Sequence, residues 1–96
     1  MERGVASCYA DALAGRRTAS GEIYSPRADT CAHRRHAFGT RLIVTAVASG
    51  RSTTCRVNDR GPFVKGRIVD LSRAVAERLG MLQSGLLEVE VRTEPP

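Results

Sequence analysis

The run Cys55-Arg56-Val57-Asn58-Asp59-Arg60-Gly61-Pro62-Phe63 places a carboxylate where a strand-like stretch meets a Gly-Pro break. A strand fixes its terminal side chain in space and the following loop leaves room for a ligand, so catalytic groups concentrate at such junctions. Asp59 is therefore the first candidate for a working acid. The same residues are also ordinary turn chemistry, in which Asp59 would only cap the turn. The local run alone leaves both readings open.

The elements that must hold this carboxylate are short strands. Gly4 to Tyr9 reads as a first strand, and Ala10 to Ala28, rich in Gly, Ser, Arg and Ala, reads mostly as loop. Arg41 to Val47 and Ser52 to Asn58 are rich in β-branched residues and should pair as a hairpin across Ala48-Ser49-Gly50-Arg51. Arg67 to Leu71 is a further strand, after which Ser72 offers an N-cap to a helix over Arg73 to Leu79 that Gly80 ends. Leu71, Val75, Leu79 and Met81 fall on its core side. Leu86 to Arg92 alternates Leu87, Val89 and Val91 with Glu88, Glu90 and Arg92, the period of a half-exposed strand. With 96 residues and 42% hydrophobic content, the chain can enclose one core and gains from a covalent staple. The expectation is one β-rich domain over residues 1–96. The Met-Glu-Arg-Gly start holds no export signal and no stretch is apolar enough to span a bilayer, so a soluble, mature or excised domain without membrane insertion is expected.

Four segments, in order, carry a more specific signal: Thr18-Ala19-Ser20-Gly21-Glu22-Ile23-Tyr24, Thr30-Cys31-Ala32-His33, Phe38-Gly39-Thr40 and the Asn58-Asp59-Arg60 run. With them the chain resembles the RlpA-like (rare lipoprotein A) double-psi β-barrel family. The likeness extends from Gly4-Val5-Ala6-Ser7 through Val69-Asp70-Leu71-Ser72 to Leu79-Gly80-Met81. It implies a mainly β fold, a six-stranded double-psi β-barrel with one or two short helices. It also implies a lytic transglycosylase that cleaves the MurNAc-GlcNAc strand of peptidoglycan and leaves 1,6-anhydro-MurNAc ends. The family's functional Glu, His and Asp fall on Glu22, His33 and Asp59. Expansins share this barrel, so a non-catalytic wall-glycan binder is the alternative.

The chemistry constrains each role. Glycosidic cleavage needs a proton for the leaving oxygen and stabilisation of an oxocarbenium-like centre. In a lytic transglycosylase the sugar's own 6-hydroxyl replaces water, so Asp59 could first protonate the leaving oxygen and then deprotonate that hydroxyl. A Glu22 carboxylate close by would help to keep Asp59 protonated, and His33 is expected to orient one of the two. Ser20, Tyr24, Asn58, Arg60 and Phe63 are the expected substrate contacts, Tyr24 and Phe63 as sugar-facing walls. Asp70 is expected to cap or brace the helix start, and His36 to be exposed. Where relatives commonly carry an aromatic, a Gly and a Phe in the first segment, this chain has Cys8, Ala10 and Leu13, a loss that could remove a stacking platform.

Cys31 and Cys55 each precede one of these site residues and are expected to pair, leaving Cys8 as an odd thiol. The other arrangement is three reduced, buried thiols. Val5-Ala6-Ser7-Cys8 only loosely resembles a lipoprotein processing box, and no hydrophobic segment precedes it. No Cys-x-x-Cys or paired Cys/His spacing suggests zinc, and neither metal nor cofactor is expected. The net charge of +5, carried by fourteen Arg and Lys65, suits an anionic polymer. Peptidoglycan qualifies through its lactyl carboxylates. Nucleic acid is not expected, because aromatic content is only 4% and no recognition motif accompanies the charge. A monomer in the periplasm or cell envelope completes the expectation.

Overall fold

The β-branched runs pair into a closed six-stranded barrel in the computed structural model, which describes residues 1–96. The strands are β1 (Glu2–Cys8), β2 (Thr30–Ala32), β3 (Arg41–Ala46), β4 (Ser52–Asp59), β5 (Arg67–Leu71) and β6 (Leu86–Thr93), with one helix, α1 (Arg73–Arg78). Around the barrel the order is β1-β5-β2-β4-β3-β6, so no strand edge is left unpaired. The predicted β3–β4 hairpin is present, with Leu42 opposite Cys55 and Val44 opposite Thr53.

Two pairs are parallel, β1 with β5 and β2 with β4, and each carries a register shift. In the second, Cys31 lies opposite Val57 and Ala32 opposite Asp59, so Asn58 is the extra residue. Side chains alternate along a strand, and an inserted residue moves everything beyond it to the other face. Val57 shares the inward face with Cys31 and Leu71, whereas Asp59 aligns with Ala32 on the outward one. A regular strand would have turned Asp59 into the core.

The inward residues form one cluster that includes Leu42, Val44, Val57, Val69, Leu71, Val75, Met81, Val89 and Val91. Leu71, Val75, Leu79 and Met81 are all buried, as the helix pattern requires. Ser72 caps α1 by accepting from the Val75 N–H and donates to the Ala28 carbonyl at 2.7 Å. Gly80, with φ of +71°, ends it in the left-handed region that glycine adopts without strain. Within the cluster Cys31 and Cys55 form a disulfide with Cα atoms 5.7 Å apart, and Cys8 is free. Closing that loop stabilises the fold by about 3.5 kcal/mol on the chain-entropy view. The first strand starts two residues earlier than expected. The loop to Ala28 contains a 3-10 turn at Asp11–Leu13 and a bridge between Arg17 and Ile23. No helix is long and apolar enough to cross a membrane.

Candidate active site

The register brings together residues that are far apart in sequence. Ser7 on β1 lies opposite Asp70 on β5, Asp70 opposite Ala32 on β2, and Ala32 opposite Asp59 on β4. Directly paired residues share a face, so Ser7, Asp70, Ala32 and Asp59 form one row across four strands. Two carboxyls therefore stand two strands apart, roughly 9–10 Å between Cα atoms, with only the Ala32 methyl between them.

Asp59 is fixed at both oxygens. Oδ2 accepts from the Tyr9 hydroxyl at 2.6 Å. Oδ1 accepts from the backbone N–H groups of Ala19 and Arg60, both at 2.9 Å. Burial, and then the hydrogen bond and charge of Asp59, push the Tyr9 phenol far above its ordinary range, so it remains a donor. Asp70 is served differently: its carboxyl accepts from the Ser7 hydroxyl. Burial is the largest influence and raises it, the Ser7 bond and Arg67 lower it, and the charge of Asp59 raises it, with a net upward result. It braces no helix; Ser72 alone performs that role.

The other expected site residues divide between this row and its supports. The Ser20 N–H donates to the Asn58 carbonyl at 3.1 Å, which lays the 18–22 loop beside Asp59. The Glu22 carboxylate faces Arg56 instead, at 2.5 and 2.9 Å, and that guanidinium lowers its carboxyl below the ordinary value. Glu22 therefore does not crowd Asp59 with a second uncompensated charge. Tyr24, expected as a wall, is only 3% exposed; its ring lies 4.6 Å from that of Tyr9 and its hydroxyl accepts from the Arg73 N–H. Asn58 is buried as the bulged residue. The Arg60 guanidinium donates to the carbonyls of His33 and His36 and stacks 4.1 Å above the Phe38 ring, which ties down the 33–38 loop. Phe63 is 78% exposed, four residues beyond Asp59.

His33 is placed apart from both carboxylates. Its backbone N–H donates to the Asp59 carbonyl at 3.1 Å, but its ring meets Glu2 at 2.7 Å. Nδ1 accepts from the N–H groups of Arg35 and His36, so Nε2 carries the ring proton and donates it to Glu2. His36, expected to be exposed, is half-buried against His33 at 4.4 Å, and burial lowers its imidazole. Glu2, His33 and His36 bring metal-type donor atoms within 4.8 Å of one another. Binding through Nε2 would need the proton moved to Nδ1, where two N–H donors already point, so this set is built as a hydrogen-bonded strut. It lines a cleft of about 390 Å³ that does not include Asp59 or Asp70.

Sequence reasoning missed Tyr9 and undervalued Asp70. Tyr9 immediately follows Cys8, the position where relatives commonly carry an aromatic, and its ring packs on Tyr24 while its hydroxyl reaches Asp59. Asp70 drew attention as a helix neighbour, because only strand register reveals its alignment with Asp59.

Comparison with known proteins identifies the family and the fold. Residues 1–91 match the protein family described as lytic transglycolase. A probable endolytic peptidoglycan transglycosylase RlpA of Nostoc sp. is 50% identical over 91 residues, which cover 93% of this chain and 24% of that protein. The endolytic peptidoglycan transglycosylase RlpA of Pasteurella multocida is 47% identical over 88 residues, covering 92% of this chain and 30% of that protein. The chain thus spans less than a third of either relative. A Clavibacter michiganensis expansin superposes with a TM-score of 0.71 at 23% identity, over 97% of this chain and 50% of its own; that likeness concerns the barrel alone. By sequence match along nearly its whole length, and by the closed barrel with two bulged parallel pairs, the chain belongs to the lytic transglycosylase family of double-psi β-barrel domains.

Proposed function

We propose that this domain cleaves the MurNAc-GlcNAc glycan of peptidoglycan as a lytic transglycosylase, leaving 1,6-anhydro ends. The observation that carries the reading is the bulge at Asn58, which turns Asp59 outward, where three donors hold its carboxylate at the end of a rigid strand. A fixed anion in that position stabilises positive charge developing at the sugar's C1, and it needs no rearrangement during reaction.

The surroundings suit a polymer. Asp59 and Asp70 are part-exposed while Ala32 and Ser7 between and beside them are buried, so the two carboxyls are the accessible groups of the row. Phe63, exposed four residues beyond Asp59, offers an apolar platform, and Ser20 a hydroxyl from the loop whose Ala19 N–H holds Asp59. Glu22 and His33 act as positioning residues, Glu22 through the loop that carries the Ala19 N–H and His33 through the backbone bond to Asp59. The same face, without reaction, would serve the expansin-like binder. A substrate in the cell wall puts the work of this domain outside the cytoplasmic membrane, a compartment that favours the Cys31–Cys55 bond.

Incubation with purified sacculi, followed by mass spectrometry of the released glycans, tests the reading. Anhydro-ended products are expected. Products with only reducing ends would show hydrolysis, and retention on sacculi without release would show a binder.

A further inference from the structure

We propose that Asp70 is the proton donor of this reaction and that Asp59 is its charge-stabilising partner; the inference rests on the transglycosylase reading above. The two carboxyls occupy one row but are satisfied in opposite ways. Asp59 accepts three hydrogen bonds through both oxygens, from a phenol and two backbone amides. A proton on either oxygen would face an existing donor. Asp70 has one protein donor, the Ser7 hydroxyl, and is part-buried at the end of β5.

The charged and titratable groups that act around Asp70 come from three strands. Arg67 lies on its own strand, Asp59 across Ala32 on β4, and Tyr9 and Cys8 at the end of β1. Arg67 is the cation among them, and its influence is outweighed by burial and the Asp59 charge, so the Asp70 carboxyl is raised. The nearest basic residue in sequence to Asp59, Arg60, does not alter this balance, because its guanidinium is bound to the His33 and His36 carbonyls and to Phe38. A carboxyl raised by burial and with one protein donor therefore stands beside a carboxyl held at both oxygens, the unequal pair of environments that glycoside cleavage uses.

The step balances. As the C1–O bond breaks, its electron pair leaves with the glycosidic oxygen, which takes the Asp70 proton, while Asp59 faces the cationic C1. The sugar's 6-hydroxyl oxygen then bonds to C1 and its proton returns to Asp70. No water or redox partner is consumed, and the enzyme ends as it began.

The test combines pH–rate profiles on sacculi for the wild type, Asp70→Asn and Ser7→Ala with a carbon-13 NMR titration of the Asp70 carboxyl in the substrate-free wild type. Asp70→Asn should keep a cooperative melting transition and lose about 10²-fold or more in anhydro-product release. Ser7→Ala removes a donor that favours the charged carboxylate, so the alkaline limb should move to higher pH whatever happens to the maximum rate. In the NMR titration Asp70 should hold its proton above the ordinary carboxylate range. Wild-type turnover by Asp70→Asn, an unmoved limb in Ser7→Ala, or an Asp70 that titrates in the ordinary range would overturn the assignment. An inactive wild type would instead overturn the transglycosylase reading, and a normal Asp70 titration would then remove the acid as well.

Discussion

At the barrel's end the His33 ring bonds Glu2 through one nitrogen and the Arg35 and His36 backbone N–H groups through the other, whereas on the outer row Asp59 is held by neutral donors and Asp70 has only Ser7. Glu2 lies in the inward row with Gly4 and Ala6, opposite Val91, Val89 and Leu87 of β6. The His33 ring seals that end with its tautomer fixed on both sides. The outer row sets two carboxyls on either side of a methyl group, and the charge of Asp59 adds to burial in raising Asp70, an arrangement that costs stability and suits chemistry. The two clusters thus differ in their central group: the His33 ring is matched at both nitrogens, whereas the Asp70 carboxyl has a single protein donor.

The largest expected effect lies in the outer row. Asp59→Asn should keep the fold and lower anhydro-product release by about 10²–10⁴-fold, because the carboxylate charge is lost while the shape is kept. Unchanged turnover would remove Asp59 from the mechanism.

His33→Ala should act chiefly on stability. It leaves Glu2 and two backbone N–H groups without the ring, at a cost of about 2–4 kcal/mol. The melting temperature should fall by roughly 10 °C or more, with activity per folded molecule much less affected than in Asp59→Asn. A stable but inactive His33→Ala would place the imidazole in the chemistry.

Tyr9→Phe sharpens the comparison, since it removes one of the three donors to Asp59 and little volume. A hydrogen bond to a charged group contributes about 1.5–3 kcal/mol, so the rate should fall about tenfold or somewhat more with the melting temperature nearly kept.

Asp70→Asn has a stability signature with a definite sign. A carboxyl raised in the folded state binds its proton more tightly there than in the unfolded chain, so wild-type stability declines as pH rises from the ordinary carboxylate value of 3.8 through the raised one. The Asn variant lacks this decline. Its melting temperature relative to wild type should therefore be higher at pH 7 than at pH 4, as followed by calorimetry. The smallest effect is expected for Glu22→Gln: the Glu22–Arg56 pair is exposed, and its loss should change stability by less than about 0.5 kcal/mol.

The contrast between the clusters was only partly legible in the sequence. Asp59 could be singled out because Asn-Asp-Arg before Gly-Pro marks a strand end, and Ser72 and Gly80 announced both ends of α1. The bulge was not legible. Asn58 looks like any strand residue, and only its parallel partner β2, with three residues too short for a periodic signal, reveals the shift. Asp70 sits beside a strong helix cap that explained it locally, and Ser7 is 63 residues away. His33 was legible as a residue of interest, but its partner Glu2 lies 31 residues away on a strand whose start was placed at Gly4. Tyr24 was read as a wall because aromatics in such barrels face either sugar or core, and burial decided for the core.

The most direct test compares Asp59→Asn and His33→Ala on the same purified sacculi, with anhydro-product release divided by the folded fraction of each variant at the assay temperature. The row of Asp59 and Asp70 as the reacting centre predicts that Asp59→Asn remains at least about 10²-fold below wild type after this correction, while His33→Ala recovers most of the wild-type rate. The opposite result, an active Asp59→Asn beside a folded and inactive His33→Ala, would move the chemistry to the barrel's end.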